Sequence, residues 1–430
     1  MKTVLIVAYY YSPSVDAGSK RAEGFARYLP DHGYEPIVIT VADGNYSVPL
    51  DAPTGTTAIH TNLIRVPTRG RKQPRGTAPP ATRSLANRAL RRLYRELFYI
   101  PDGFRPFLSG ALREAEQVIR KRTVDIGLCT SSPYTALQVG YRLHHSTGLP
   151  WVADLRDLWT ANHHSYPFSP LRRRLDQFLE RRWLSTAAGV TTATEGLRNV
   201  MIDSGWVGAP ITCVHNGFID EPPVLQPDPA APLTIRFTGK LYEQRGHSIR
   251  PLLEAVRVLE RSRPDAAAGL RIEFFGHVNS DFSASIQQFG YGDRVIARGL
   301  VSRDQAIRAQ ASSDILLVLI PDEPRYRVVV PSKVYEYLPT RKPILSIAPT
   351  DGEAAEILRR TGSGHTFGET QHAEIADYLL RMFETKRKRG ALPQVGNRAE
   401  IDSFHYSNLA GRLAAFFDEL LSNRAHDKRL

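Results

Sequence analysis

A lysine and a glutamate that share one predicted helix face are the strongest candidates for a functional site in this sequence. They lie in residues 330–349, VPSKVYEYLPTRKPILSIAP, where Lys333, Glu336 and Tyr337 occupy positions i, i+3 and i+4. An ammonium group suits a diphosphate, and a carboxylate beside it suits a ribose diol. Ser332 is a residue type that begins helices. The alternative is a surface salt bridge on an ordinary helix.

Two apolar stretches flank this helix and predict the strands that position it. Residues 314–321, DILLVLIP, are typical of a buried parallel strand, and residues 343–348 predict a second, short strand. A helix that begins at the carboxyl end of a parallel strand presents its N–H groups and its dipole to a phosphate. The stretch therefore predicts a site for a nucleotide phosphate.

The same stretch resembles the nucleotide-sugar signature of retaining GT-B glycosyltransferases, in the family 4 group of bacterial cell-surface enzymes. The shared pattern is P-S-K-hydrophobic-x-E-Y followed by K-P-hydrophobic-L. The resemblance implies that Glu336 binds the ribose and that Ser332 and Lys333 lie near the phosphates. Most members of the broader group carry a second Glu eight residues earlier, where this chain has Val328.

Composition predicts a reduced protein of two domains. A chain of 430 residues suits two domains of about 200 residues each. Charged residues interrupt every apolar run before it reaches the length of a membrane span, and residues 3–9 predict a first strand instead of a signal peptide. The two cysteines, Cys129 and Cys213, form no disulfide framework and no metal spacing. We therefore expect a cytoplasmic location and no metal site.

The positive charge is concentrated in residues 65–95, which contain ten Lys or Arg and no Asp or Glu within a chain of net charge +12. A basic amphipathic helix is predicted from Ser84, and a basic helical stretch in residues 165–183 carries Leu171, Leu175 and Phe178 on its other side. Such helices bind anionic membranes or pack on a core with a solvated basic face. Enzymes of the resembled type often act on lipid-linked acceptors. This favours peripheral attachment to the inner face of the plasma membrane; no nucleic-acid module is recognised.

The first forty residues predict a βαβ unit and so a parallel sheet. Its first loop lacks G-x-G-x-x-G, and only Gly18 matches the Gly-rich loop of the resembled enzymes near the diphosphate. Residues 150–159, PWVADLRDLW, are similar to the P-W-V-A-D-F-R-D-x-W segment of that family, which faces the reacting sugar. The resemblance implies that Asp154 is catalytic and that Arg156 and Asp157 position the sugar or acceptor. The alternative is an Asp–Arg pair that only fixes a loop.

A second domain is predicted after a linker, because residues 220–232 contain five prolines and a new βαβ pattern begins at residue 233. The loop after its first strand resembles the family motif G-[RK]-L-x-x-x-[RK]-G. The resemblance implies that Lys240 and Arg245 neutralise the leaving diphosphate and act in catalysis. Two solvated loop cations are the alternative.

The resemblance implies an α/β protein with the GT-B fold: two facing Rossmann-like domains with parallel sheets and a C-terminal crossover helix. The predicted domains are residues 1–222 for the acceptor and 233–402 for the nucleotide sugar, with residues 403–430 packing back on the first. The predicted reaction is metal-independent transfer of a sugar from a nucleotide-diphosphate sugar to an acceptor hydroxyl, with retention of configuration. The nucleotide sugar is a co-substrate, and no cofactor is expected. The predicted pathway is bacterial polysaccharide, glycolipid or glycoconjugate biosynthesis. A basic, non-enzymatic membrane protein and a nucleotide-dependent oxidoreductase are the alternatives.

Overall fold

The computed structural model describes residues 1–14, 18–42, 62–68, 85–161, 168–223, 225, 228–241 and 248–427. The backbone divides into two compact units. Unit 1 comprises Met1–Ile219 with Tyr406–Leu430, and unit 2 comprises Asp220–His405. The proline-rich linker predicted at residues 220–232 lies at the start of unit 2.

Unit 1 alternates strands and helices along the chain. Its elements up to residue 213 are β1 (Lys2–Ala8), α1 (Ser19–Tyr28), β2 (Tyr34–Val41), β3 (Leu63–Val66), α2 (Leu85–Phe98), α3 (Arg105–Lys121), β4 (Ile126–Ser131), α4 (Thr135–Thr147), β5 (Trp151–Leu155), α5 (Pro170–Leu184), β6 (Gly189–Thr192), α6 (Glu195–Ser204) and β7 (Ile211–Cys213).

Unit 2 repeats the alternation, and the last helix returns to unit 1. The remaining elements are β8 (Leu233–Thr238), α7 (Arg250–Ser262), α8 (Pro264–Ala268), β9 (Leu270–Phe275), α9 (Ser280–Phe289), β10 (Val295–Gly299), α10 (Arg303–Ala311), β11 (Ile315–Leu319), α11 (Ser332–Tyr337), β12 (Ile344–Ile347), α12 (Glu353–Thr361), β13 (Gly364–Phe367), α13 (His372–Arg389), α14 (Arg398–Asp402) and α15 (Tyr406–Asp427).

Each unit contains one sheet whose described strands all pair in parallel. The strand order is β3-β2-β1-β4-β5-β6-β7 in unit 1 and β10-β9-β8-β11-β12-β13 in unit 2. The central strands are apolar runs that are buried on both faces, as helices on both sides of a parallel sheet require. The strand order reverses beside β1 in unit 1 and beside β8 in unit 2. Doubly wound sheets bind ligands at the carboxyl edge of such a reversal.

The last helix completes the core of unit 1. Leu409, Leu413 and Phe417 of α15 are fully buried in one cluster with residues of β1 and α1. The ring of Tyr406 lies over the backbone of α1, where a Cβ at Gly24 would come within 2.2 Å of it. Glycine at this position is therefore what lets the two helices approach each other.

Two elements of unit 1 give way to other backbone structure at their carboxyl ends. Helix α1 ends at Tyr28 and is followed by a 3-10 turn at Leu29–His32, because Pro30 has no N–H to donate. Strand β7 stops at Cys213. Beyond that point the carbonyl groups of Val214 and His215 accept hydrogen bonds from the side chain of Arg21.

Helix α5 turns a polar stripe inward. Arg172, Asp176, Glu180 and Trp183 are buried, and Arg172 pairs with Asp176 at 2.8 Å. Glu180 Oε2 accepts hydrogen bonds from the backbone N–H and the hydroxyl of Thr160, at 3.1 and 2.5 Å. Burial raises the pKa of the Glu180 carboxyl to about 7. This carboxyl is therefore a pH-dependent element of the unit 1 interior.

We predict that Glu180→Gln stabilises the protein more at high pH than at low pH. The carboxyl of an unfolded glutamate has a pKa of about 4.3, so between that pH and about 7 the folded wild type binds more protons than the unfolded chain. Its free energy of unfolding therefore falls over this range, by up to about 3 kcal/mol. A neutral amide avoids this loss. Thermal unfolding near pH 5 and pH 8 measures it, with the surface variant Glu419→Gln as the control. An equal effect of Glu180→Gln at both pH values would contradict the assignment.

Candidate functional site

A buried ion pair lies at the carboxyl end of β5 in unit 1. Arg21 of α1 donates from Nη2 to Asp154 Oδ1 at 2.7 Å and from Nε to Oδ2 at 2.9 Å, and both side chains are at most 1% exposed. The hydroxyl of Thr191 on β6 donates to the same carboxylate at 2.6 Å. Three elements of unit 1 thus meet at Asp154.

Both members of this pair remain charged. Burial by itself would raise the pKa of Asp154, but the charge and hydrogen bonds of Arg21 outweigh it and hold this pKa below its ordinary value. Burial likewise opposes the charge of Arg21, yet Asp154 raises the pKa of the guanidinium. The carboxylate is enclosed and saturated with donors, so in this structure it acts on Arg21. The predicted catalytic role of Asp154 stays a prediction.

Arg21 also fixes the segment after β7. Its Nη1 donates to the carbonyl oxygens of Val214 and His215, at 2.8 and 3.0 Å, and lies 3.3 Å from Asn216 Oδ1. Arg21 belongs to none of the sequence motifs described above. The sequence pattern that could have indicated it is its position four residues before Phe25, on the apolar face of α1. A cation on such a face is buried, and it needs a charged or hydrogen-bonding partner inside the fold.

Gly18 and Arg156 come together at the same edge of the unit 1 sheet. The Arg156 guanidinium donates from Nε to the Ser131 carbonyl at 2.9 Å and from Nη2 to the Ser132 carbonyl. A Cβ at Gly18 would lie 2.5 Å from that guanidinium, so the glycine leaves the room that Arg156 occupies. Asp157 follows Arg156 and is half-buried. The contacts predicted for these three residues with a donor or acceptor stay predictions.

In unit 2 the loop after β8 is held by backbone hydrogen bonds to the end of β9 and the residues that follow it. The Gly239 N–H donates to the Phe275 carbonyl at 2.7 Å, and the Leu241 N–H donates to the His277 carbonyl at 2.8 Å. Lys240, between them, exposes its side chain. Arg245 lies outside the described residues.

Lys333 reaches across to this loop from α11. Its ammonium nitrogen is 5.3 Å from the centroid of the Phe237 ring. A Cβ at Gly239 would lie 2.1 Å from that nitrogen, and the backbone there has φ +138°, a conformation that favours glycine. Because Gly239 has no side chain, Lys333 can lie against the carboxyl end of β8. Gly239 directly precedes Lys240 in the sequence. Two cations that are 93 residues apart in sequence therefore belong to one edge of the sheet.

Helix α11 is fixed in place by buried polar contacts. The phenol oxygen of Tyr337 accepts from the Thr238 N–H at 3.0 Å, and Gln310 Nε2 donates to Thr238 Oγ1 at 2.8 Å. Burial raises the pKa of Tyr337, so the phenol stays neutral. Pro331 occupies the position before the helix and Ser332 is its first residue, so Lys333 and Glu336 lie one turn apart on a rigid element.

Three possible metal-ligating side chains also lie together in unit 1. One oxygen of Glu195, the sulfur of Cys213 and a ring nitrogen of His215 are within 4.8 Å of one another. These are zinc-ligand types, but Glu195 is exposed and also approaches Arg198 at 3.7 Å. The expectation that the reaction needs no metal stays a prediction.

Comparison with known sequence families gives one match, in the N-terminal part of the chain. Residues 17–217 match the glycosyl transferase 4-like domain, which includes Gly18, Arg21, Asp154, Arg156 and Asp157. No curated protein matches the chain by sequence. The matched residues thus include the Arg21–Asp154 pair.

Comparison of structures covers the whole chain. Sucrose-phosphate synthase from Thermosynechococcus elongatus aligns over 98% of this chain and 100% of its own, with TM-score 0.61 and 13% identity. HepE of Anabaena, in complex with UDP-glucose, aligns over 100% of both chains with TM-score 0.56 and 14% identity. The lipopolysaccharide outer core galactosyltransferase WaaB aligns over 97% of this chain and 99% of its own, with TM-score 0.54 and 13% identity. The predicted GT-B fold is confirmed.

Proposed function

We propose that this protein, a GT-B glycosyltransferase with a glycosyl transferase 4-like domain, moves a hexosyl group from a nucleotide-diphosphate sugar to an acceptor hydroxyl with retention of configuration. The observation that carries the donor assignment is the position of Lys333. Its ammonium lies against Gly239, at the carboxyl end of β8 and beside the loop that holds Lys240. Two cations at the reversal of a doubly wound sheet suit a diphosphate.

The geometry of α11 supports the remaining proposed donor contacts. Glu336 lies one helical turn after Lys333, so a nucleotide whose diphosphate meets Lys333 would present its ribose to that carboxylate. Ser332, at the start of the helix, is close enough in the chain to contact a phosphate oxygen. Support for this class of donor also comes from HepE, which has the same fold and is in complex with UDP-glucose.

The chemical step needs charge stabilisation more than a protein base. The bond between the sugar anomeric carbon and the diphosphate oxygen breaks, and the acceptor oxygen bonds to the same carbon on the same face. The acceptor proton passes to an oxygen of the leaving diphosphate. Lys240, Lys333 and Arg245 would stabilise the charge that develops on that leaving group, without a metal. Asp154 would act through Arg21 by fixing the segment after β7.

The acceptor belongs to the same proposal. We assign it to a sugar or lipid-linked sugar of bacterial polysaccharide, glycolipid or glycoconjugate biosynthesis. A lipid-linked acceptor would require the enzyme to work at the inner face of the plasma membrane. No described helix has the length and apolar character to cross a bilayer.

A thermal-shift screen of the full chain tests the donor assignment. We expect one of UDP, GDP, TDP or ADP, or one of their sugars, to raise Tm, since a ligand at about 100 times its Kd adds about 2.7 kcal/mol of stability. Glu336→Ala should lose most of this shift, whereas Glu374→Ala, on the exposed side of α13, should keep it. The absence of any shift in the wild type, or an unchanged shift in Glu336→Ala, would contradict the assignment.

A further inference from the structure

Helix α5 exposes three of its large apolar residues. Arg172, Asp176, Glu180 and Trp183 face the interior, whereas Leu171, Leu175 and Phe178 are exposed. Leu171 is 78% exposed and Phe178 is 58% exposed. Amphipathic helices of globular proteins ordinarily bury their apolar stripe, so this helix is inverted relative to the core.

A second exposed apolar row lies on α2, directly beside the start of α5. Glu96 of α2 accepts hydrogen bonds from the backbone N–H and hydroxyl of Ser169, at 2.8 and 3.0 Å. Arg172 donates to the Glu96 carbonyl at 2.8 Å. The two helices are therefore joined end to end. The exposed apolar residues of the two helices that we group together as the α2–α5 face are Leu93, Leu97, Phe98, Leu171, Leu175 and Phe178.

Most of the exposed large hydrophobic side chains of the described chain lie on α2 and α5. Of the thirteen large hydrophobic side chains that are exposed in the described chain, eight lie on α2 and α5. Scattered exposed hydrophobic residues need no explanation, but a cluster on two joined helices indicates a binding surface.

The exposed charges on α5 are all positive. Its two carboxylates, Asp176 and Glu180, are buried, whereas Arg173, Arg174, Arg181 and Arg182 are exposed. Arg95 adds an exposed cation on α2, where Glu96 is engaged by Ser169. An apolar row flanked by cations, with the acids removed from the surface, complements the acyl region and the phosphates of an anionic bilayer.

We infer that the α2–α5 face docks this protein on an anionic lipid bilayer. Leucine and aromatic side chains enter the boundary between headgroups and acyl chains, and the arginines of α5 contact lipid phosphates. This surface deepens the membrane attachment in the proposed function by adding α5 to the basic segment 65–95. It requires no transferase activity. The side chains of Arg88, Arg91 and Arg92 lie outside the described residues, so the inference depends on α5 and the end of α2.

Co-sedimentation of the full chain with lipid vesicles tests the electrostatic part. Vesicles contain phosphatidylcholine alone or with about one-third phosphatidylglycerol, at low and high salt. We expect wild type to bind the anionic vesicles and to be released by salt. Arg173→Gln/Arg174→Gln/Arg181→Gln should bind them about tenfold more weakly or worse. The control, Arg387→Gln/Lys388→Gln/Arg389→Gln on α13, removes the same charge elsewhere and should bind like wild type.

The double variant Leu97→Ser/Phe178→Ser, with one change on each helix, tests the contribution of the apolar side chains to vesicle binding. We expect about tenfold weaker binding with all five arginines retained. No vesicle binding by wild type, equal binding by wild type and both face variants, or an equal loss in the α13 control would overturn the inference. So would a wild-type dimer that Leu97→Ser/Phe178→Ser converts to monomer, because the face would then bind a second copy.

The same variants separate this inference from the proposed function. All changed side chains are exposed, and the nucleotide-induced thermal shift should be the same in wild type and in each variant. Loss of vesicle binding with the shift intact supports the α2–α5 face. If nucleotide raises the Tm of wild type but wild type does not bind vesicles, the donor assignment is retained and the membrane-binding surface is refuted.

Discussion

Replacing either cation at the end of β8 is expected to lower kcat for sugar transfer by about 100-fold or more, which corresponds to about 2.7 kcal/mol of transition-state stabilisation. The variants are Lys240→Met and Lys333→Met. The Lys333 ammonium rests against Gly239 and over the Phe237 ring, and Lys240 follows in the same loop. Charge on the diphosphate grows as the bond to the sugar breaks, so a lost cation should affect kcat more than KM.

Lys388→Met is the matched control for these variants. Lys388 is exposed near the end of α13, so this change removes the same charge without touching the loop after β8. Transfer by Lys388→Met should equal that of wild type, and Tm of all three variants should lie within about 2 °C of wild type. Steady-state kinetics with the donor found in the thermal-shift screen supply the measurement. Unchanged kcat in both Lys240→Met and Lys333→Met would refute the phosphate assignment.

Arg21→Met is expected to destabilise unit 1 by about 3–5 kcal/mol, the largest effect on stability that we predict. The change leaves Asp154 buried without a counter-ion and removes the donor to the Val214 and His215 carbonyls. Arg21→Lys keeps the charge but loses the planar fork, so it should recover only part of the loss. Arg113→Met, which breaks the exposed pair with Glu114, should cost at most about 1 kcal/mol.

The chain provides a selective probe for this experiment. Its four tryptophans, Trp151, Trp159, Trp183 and Trp206, all lie in unit 1. Tryptophan fluorescence during urea unfolding therefore reports on the unit that contains the pair, even where the two units unfold separately. Equal midpoints for wild type and Arg21→Met would show that the pair contributes nothing to stability.

The pH dependence of this loss has a defined sign. Arg21 lowers the pKa of Asp154, so the pair stabilises the folded state above about pH 3.9 and loses this effect as the pH falls through the folded pKa. In Arg21→Met, only hydrogen bonds such as that from Thr191 oppose the effect of burial, so the pKa of the carboxyl should rise. The variant should therefore be most impaired at high pH and recover as the carboxyl binds a proton. Urea unfolding at two pH values checks this, with Asp154→Asn completing a double-mutant cycle.

The amino-acid sequence was sufficient to predict the two parallel sheets and to place Lys333 and Glu336 on one helix face. Unbroken apolar runs such as residues 315–319 can be buried on both faces only in a sheet covered by helices, and this pattern is local. Lys333 and Glu336 lie within one turn, so the helical repeat alone places them on one face. The resemblance in residues 330–349 pointed to a fold that the structural comparisons confirm.

The contacts between distant side chains, and the direction in which each helix face points, became known from the folded structure alone. Arg21 finds Asp154 across 133 residues, Arg156 fills the space left by Gly18, and Lys333 reaches Gly239 from another element. Helix α5 has an apolar stripe by its sequence pattern, yet it buries the opposite, polar stripe, because Arg172, Asp176 and Glu180 find partners inside unit 1. A local pattern fixes the spacing of residues along an element. The partners that satisfy buried charges come from distant parts of the chain, so their identity depends on the assembled fold.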